Sequence, residues 1–316
     1  MTELQRLELR VLELVGSINL RPTLDRAAEL GEVLVTAKGS VEHGQWLPWL
    51  KRVGLNDRSA RDYMTVFREV GNRQPAANMT IKQFLVYLRE TRINGKRAER
   101  EQVRAEVAGR LGKLPESLTL VHKDCRKYAW PVLDAVVTDP PWASMECYRW
   151  LATMAADKLR DGGVMLLQVG TGYMADVLRI VTDAGLTYRW TLAVVYAEMR
   201  RAKPTAGRYL SAWVPILLFS KGEFPKGDAI GDVYTVRKER EGKQLHDWQQ
   251  PVVEPLKYWL ARLVVPGSLV GDPFAGSGTT GVVCRELALR WVATEKDHKA
   301  YEVARGRLIG DSSRTS

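Results

Sequence analysis

Leu269-Val270-Gly271-Asp272-Pro273-Phe274-Ala275-Gly276-Ser277-Gly278-Thr279-Thr280-Gly281 is the stretch that decides the fold. A short apolar run meets an acidic residue and a proline, then a glycine-rich turn that leads into a helix-forming segment. A strand that turns into a helix through glycines lets a nucleoside-bearing ligand approach bare backbone. A phosphate-binding loop is the obvious rival, and it fails because no Lys-Ser/Thr pair follows the last glycine. A dinucleotide fingerprint needs a different glycine spacing.

Upstream, Asp139-Pro140-Pro141-Trp142 follows the apolar run Ala135-Val136-Val137. It sets a carboxylate, a rigid backbone carbonyl and an aromatic plane within four residues. Those parts suit a planar, amino-bearing base. Taken alone, a strand-end Asp-Pro-Pro is also an ordinary turn.

Together and in this order, the two strings resemble the amino-methyltransferases of DNA, specifically the permuted β group, in which the catalytic motif precedes the cofactor motif. The resemblance spans about Leu118 to Leu308 and implies a doubly wound, Rossmann-like α/β sheet with circularly permuted motif order. It assigns catalysis to Asp139, Pro140, Pro141 and Trp142. On this reading, an exocyclic amino nitrogen, a poor nucleophile because its lone pair is delocalised into the ring, would donate its N–H groups to the Asp139 carboxylate and the Pro140 carbonyl. That favours a tetrahedral nitrogen, a stabilisation aimed at the transition state. The prolines would stiffen the loop, and Trp142 would offer a face on which an extruded base can stack. It assigns S-adenosylmethionine binding to Asp272, Phe274, Ala275, Gly276, Ser277, Gly278, Thr279 and Thr280. Glu295 ends the next strand at an offset suited to the ribose hydroxyls. Asp124 takes the place of an acidic residue beside the cofactor's adenine. His246-Asp247-Trp248-Gln249-Gln250-Pro251 is similar to the family's HPTQKP string at His246, Gln249 and Pro251, which adds Gln249 and Pro251 to the cofactor set; Gln250 stands where the family has Lys. Asp161-Gly162-Gly163 is a weaker family feature. The leading Asp of the catalytic string is usual among N6-adenine enzymes. The closing Trp is shared with RNA adenine methyltransferases, and the glycine motif matches the DNA enzymes better.

Composition agrees with such a reading. The 316 residues suffice for a catalytic domain and a smaller module. Hydrophobic residues make up 45% and the net charge is +10, which favours a polyanionic partner. The three cysteines form no CxxC pair, so no metal site is expected and a reducing cytoplasm is the natural home. No signal peptide is expected at the amino terminus, and no segment approaches the ~20 apolar residues of a membrane span. His43, His122 and His298 show no partner set for a metal or a triad.

Residues 1–90 read as a helical module. Helices are expected over Leu4–Val15, Thr23–Thr36, Asp57–Val70 and Met79–Glu90, with Pro22 a start signal. The Trp46-Leu47-Pro48-Trp49-Leu50 helix, the Gly54 turn and the helix from Asp57 outline a helix-turn-helix that presents Arg58, Arg61 and Arg68. The segment also resembles a helical module of phage and mobile-element proteins, marked by HGxWLPWL and RSAxxYM. DNA contact and a plain bundle with core tryptophans and solvated arginines weigh about equally. Residues 1–113, the module with the charged stretch that follows it, hold 20 Lys and Arg against 14 Asp and Glu, +6 of the charge.

A charged linker or connecting helix is expected over residues 91–113 and the methyltransferase domain over 114–310, with a flexible tail at 311–316. Strands are expected at Leu118–His122, Leu133–Thr138, Val164–Val169, Thr191–Tyr196, Val214–Phe219, Leu269–Gly271 and Trp291–Thr294, alternating with helices. Ser220–Asp247 reads as loops or an insertion. DNA contacts are expected from basic loops at about 198–250, at Arg200, Arg201, Lys203, Arg208, Arg237, Lys238, Arg240 and Lys243. The activity read from the sequence is methyl transfer to adenine N6 in double-stranded DNA, by base flipping. Cytosine N4, an RNA adenine, and a catalytically retired DNA-binding regulator are the alternatives, and homodimerisation is left open.

Overall fold

The computed structural model describes residues 1–71, 79–197, 211–224, 226–236, 245 and 253–309. It divides into two compact units, Met1–Ala98 and Glu99–Ser316.

The first unit is helical. Helix α1 (Glu3–Leu20) opens with a capping box, Thr2 accepting from the Gln5 amide while the Gln5 side chain accepts from the Thr2 amide. Thr23 caps α2 (Leu24–Ser40). Val11, Leu14 and Ile18 of α1 lie on one stripe and bury against Leu30, Leu34 and Ala37 of α2. Helix α3 (Trp46–Arg52) adds Trp49, fully buried and stacked on Trp46 with ring centroids 5.4 Å apart. The tryptophans are therefore core. Gly54, at φ +74°, turns the chain, and Asn56 caps α4 (Asp57–Val70) by accepting from the Ser59 amide. Arg58, Arg61 and Arg68 lie exposed on α4, Arg61 paired with Asp57. The segment from Met79 and the charged stretch that follows join in one long helix, α5 (Ile81–Ala108). Phe84 anchors its first turns against Ala27 and Val66. Among the described residues no helix is long and apolar enough to cross a membrane.

The second unit is an eight-stranded sheet. Its strands are β1 (Leu118–His122), β2 (Leu133–Thr138), β3 (Leu159–Gln168), β4 (Thr187–Tyr196), β5 (Trp213–Ser220), β6 (Val233–Val236), β7 (Leu269–Asp272) and β8 (Arg290–Glu295). Their spatial order is β1-β8-β7-β2-β3-β5-β4-β6. Only β5 runs against the others. Buried on both faces, β2 sends Ala135 and Val137 into one core and Val136 into the other. Helices α6 (Met145–Lys158) and α7 (Met174–Asp183) cover the Val136 face through Tyr148, Leu151, Val177 and Val181. Helices α8 (Val253–Leu263), α9 (Thr279–Glu286) and α10 (His298–Ile309) cover the other through Trp259, Val283 and Leu308.

The stretch read as loops in fact contains β6, which pairs parallel with β4 from Ala193↔Val233 to Tyr196↔Val236. Only Val236 of this edge strand is buried, so backbone pairing defines it and no apolar pattern announced it. The expected tail at 311–316 lies outside the described residues.

The tightest approach in the helical unit is at Gly31, where an added Cβ would stand 2.1 Å from the Tyr63 carbonyl oxygen. The backbones of α2 and α4 touch there, and any side chain forces them apart. Gly31→Ala should destabilise the helical unit by about 1–3 kcal/mol in denaturant titrations of the full chain. Gly39→Ala, with no atom within 4 Å of its added Cβ, should be neutral or slightly stabilising. Equal midpoints for the two variants would contradict the packing.

Candidate active site

The sheet's topology brings the carboxyl ends of β1, β8, β7 and β2 side by side. Each ends in or just before an acidic residue: Asp124, Glu295, Asp272 and Asp139. Open parallel sheets bind ligands along this edge.

The two strings noted in the sequence meet here. Strands β2 and β7 pair through Ala135↔Val270 and Val136↔Gly271, which sets the end of one string beside the start of the other. The Thr138 hydroxyl donates to Asp272 Oδ1 at 2.7 Å, and the Phe274 amide donates to the same oxygen at 3.2 Å. Asp272 is 2% exposed. Burial pushes its carboxyl up to about 6, Glu295's charge adds to that, and hydrogen bonds from Thr138, Thr280 and Phe274 oppose it. Asp272 thus shapes the turn from beneath.

The turn's two glycines serve different ends. Gly276, at φ +53°, has nothing within 4 Å of an added Cβ and so presents bare backbone to open space. Gly278, at φ +79°, would press a Cβ against Ala304 of α10 at 3.2 Å. Its bareness lets α9 and α10 pack. The buried Arg307 guanidinium holds the turn from behind, donating to the Ser277 carbonyl and to Thr279 Oγ1 at 3.0 Å. Ala275, Ser277, Thr279 and Thr280 are buried, and Phe274 packs edge-on against Trp150 with centroids 6.4 Å apart.

Glu295 closes the turn on the open side. Its Oε2 accepts from the Gly276 amide at 2.9 Å and its Oε1 from the Asp297 amide at 2.8 Å. Each oxygen keeps a lone pair for a further donor. At the outer strand, Asp124 is gripped by Arg126 through Nε, Nη2 and the backbone amide. That hold keeps its carboxyl well below the usual carboxylate range.

Asp139 is the half-buried first residue beyond β2. The Trp142 indole donates to its Oδ1 at 2.7 Å, and the Gln168 amide donates to its Oδ2 at 2.9 Å. Burial pushes the Asp139 carboxyl up to about 7. Asp272's charge adds to the rise, and the hydrogen bonds from Trp142 and Gln168 oppose it. Pro140 is buried and Pro141 exposed. The Trp142 ring lies on Gly170, where an added Cβ would come within 2.8 Å of Cε3 and 3.1 Å of the Tyr173 ring.

Gln168, Gly170 and Arg307 carry no motif and passed unnoticed in the sequence. Gln168's one signal was an amide at the end of the apolar run Val164-Met165-Leu166-Leu167. His122 and His298 lie together, centroids 5.1 Å apart, beside Tyr301. Arg200, Arg201, Lys203, Arg208, Arg237, Lys238, Arg240, Lys243, Gln249 and Pro251 lie outside the described residues.

Residues 133–306, more than half of the chain, match the family model of the N6/N4 DNA methylases. The chain belongs to this DNA methylase family. Residues 14–95 match a second family model, a protein of unknown function (DUF3102). Among curated relatives, the chain is 39% identical over 72 residues to the type II methyltransferase M.HinfI of Haemophilus influenzae, covering 22% of this chain and 20% of that protein. It is 32% identical over 97 residues to M2.DpnII of Streptococcus pneumoniae, covering 28% and 34%. The matched stretches thus span about a third or less of these methylases. Among solved structures, M1.HpyAVI in complex with SAM superposes with a TM-score of 0.52 at 19% identity, covering 60% of this chain and 98% of that one. The cytosine-N4-specific PvuII DNA methyltransferase gives 0.52 at 19%, covering 65% and 92%. Both share the methylase fold.

Asp139 links the site to stability. The unfolded chain releases this proton near the usual carboxylate pKa of 3.8, the folded chain near 7. Between those values the native state holds the extra proton, so stability falls as pH rises through the window. The amide of Asn can keep both contacts, because Gln168 can turn its own amide over to accept. Asp139→Asn should therefore raise the melting temperature at pH 8, by about 3 °C or more, and the gain should shrink toward pH 4. Thermal scans across that range check it; a constant offset would show that the carboxylate is not strained.

Proposed function

We propose that this chain transfers a methyl group from S-adenosylmethionine to an exocyclic amino group of double-stranded DNA, adenine N6, on a base turned out of the helix. The observation that carries the reading is the meeting of the Asp139 and Asp272 strings on adjacent strand ends, tied by the Thr138–Asp272 hydrogen bond.

The residues present fit the cofactor. Gly276 offers backbone with open space before it, and Glu295 keeps acceptor capacity for two ribose hydroxyls. The acidic strand ends suit a ligand that carries positive charge. Glu295 and the 272–280 turn would hold it, with Asp124 beside its adenine. S-adenosylmethionine supplies an electrophilic methyl group on a positively charged sulfur.

Asp139 and the Pro140 carbonyl accept the two amino hydrogens and localise the nitrogen lone pair as that nitrogen gains positive charge. Trp142 offers its ring to the flipped base. The leading Asp of the string supports adenine over cytosine. Two substitutions separate the roles. Asp139→Ala should lower methyl transfer about a hundredfold or more with cofactor affinity nearly unchanged, whereas Gly276→Val should abolish calorimetric cofactor binding in a folded protein. Loss of cofactor affinity in the first, or retention in the second, would overturn the assignment. Sequencing of DNA from expressing cells with modified-base detection should find N6-methyladenine. N4-methylcytosine would correct the base, and unmodified DNA alongside methylated RNA would correct the substrate. Cofactor binding without transfer would favour a retired regulator.

The helical unit is proposed to share DNA contact through Arg58, Arg61 and Arg68 on α4. Replacing all three with alanine should weaken DNA binding and lower the slope of log affinity against log salt by about one for each phosphate no longer neutralised. An unchanged slope, with altered mass by light scattering after truncation, would assign this unit to self-association instead.

A further inference from the structure

Strands β2 and β3 pair in parallel up to Thr138↔Leu167, so one step beyond the ladder Asp139 and Gln168 stand side by side. Gln168 is 7% exposed, at the end of the buried apolar run Val164–Leu167 of β3. A buried amide needs a partner, and its Nε2 finds Asp139 Oδ2 at 2.9 Å. The other oxygen is met from the loop by Trp142 Nε1 at 2.7 Å. The indole packs closely on the bare backbone of Gly170, which leaves no room there for a side chain. A tyrosine or phenylalanine at this place would carry no ring N–H and could not make this bond.

We propose that Gln168 is a positioning residue of the methyl-transfer site, clamping Asp139 from the sheet while the Trp142 indole N–H clamps it from the loop, so that the carboxylate meets the target amino group in one orientation. With one donor on each oxygen, the carboxylate retains a lone pair on each. It can accept the amino hydrogen without giving up either clamp.

The clamp has a second consequence. Besides burial, the charge that raises the proton affinity of Asp139 comes from another element, Asp272 at the end of β7, which itself faces Glu295 at the end of β8. Tyr148 on α6, whose buried hydroxyl has no hydrogen-bond partner among the described residues, also faces it, with Tyr173 in the turn after β3 beyond. Against burial and this acidic surround, Trp142 and Gln168 favour the ionised form. Removing one donor should leave more of Asp139 protonated at neutral pH, and a protonated acid is a poorer acceptor for the amino group.

The inference rests on the methyltransferase reading for its kinetic arm, and a titration without DNA tests it separately. Gln168→Met keeps length and volume while removing the donor. In single-turnover methyl transfer it should lower the rate about tenfold at pH 7, recover much of that at pH 9, and move the acid limb upward by about one pH unit, with cofactor affinity within about twofold of the parent. Carbon-13 NMR of labelled aspartate carboxyls, with Asp139 assigned by Asp139→Asn, should show the same upward move of its midpoint. Trp142→Phe, which removes the other donor, should move the midpoint in the same direction, and it serves if the first variant does not fold. An unchanged midpoint in the folded variants, or a rate loss equal at every pH, would overturn the clamp. A parent protein that transfers no methyl group would instead overturn the methyltransferase reading, with the NMR midpoint still deciding the clamp.

Discussion

The hydrogen bond from the Thr138 hydroxyl to the Asp272 carboxylate joins two segments 134 residues apart, and the architecture of the site follows from it. It is buried, so removing Asp272 would strand the Thr138 hydroxyl away from water. It ties the end of β2, where Asp139 begins, to the end of β7, where the glycine turn begins. The parallel pairing of the two strands supplies the alignment, and their covering helices keep solvent from competing for the bond. Among the described residues this junction is where the proposed cofactor turn and the proposed catalytic string meet.

Around that junction the protein concentrates negative charge and manages each carboxylate differently. Asp124 is neutralised by a bidentate arginine, and Glu295 is committed to two backbone amides. Asp272 is buried under a cover of hydroxyl and amide donors. Among the described residues Asp139 receives no cation, only two neutral donors, and burial drives its proton affinity up. Opposite charge, backbone amides and neutral side-chain donors hold a carboxylate with different strength. The least compensated carboxylate is the one proposed to act on the substrate. Such strain is tolerated where a preorganised acceptor is needed, and the packed cores on both sheet faces offset it.

The helical unit follows different physics. Its core is a set of stripes at helical spacing closed by a stacked tryptophan pair, and its tightest contact is a glycine that lets two backbones touch. Charges that make the chain basic overall remain on the outside, Arg58, Arg61 and Arg68 among them.

Much of the fold was legible because it rests on local patterning. Strands β1 and β2 fall where their apolar runs stand, and the helices follow their apolar spacing and caps. The strand β6 escaped because an edge strand is held by backbone pairing and has little apolar signature. The two chemical strings were legible because proline, glycine and acid at fixed spacing are rare for other reasons. Their neighbours were not. The sequence says nothing of Gln168 reaching Asp139, of Arg307 supporting the glycine turn, or of Gly278 making room for Ala304 while Gly276 faces open space. Those relations join residues that only the sheet order and the helix packing make adjacent. By itself the sequence singled out the residues proposed to carry the chemistry. The tertiary structure alone decided what holds each of them, because a hydrogen bond between distant segments depends on register and burial, and neither is written in either segment.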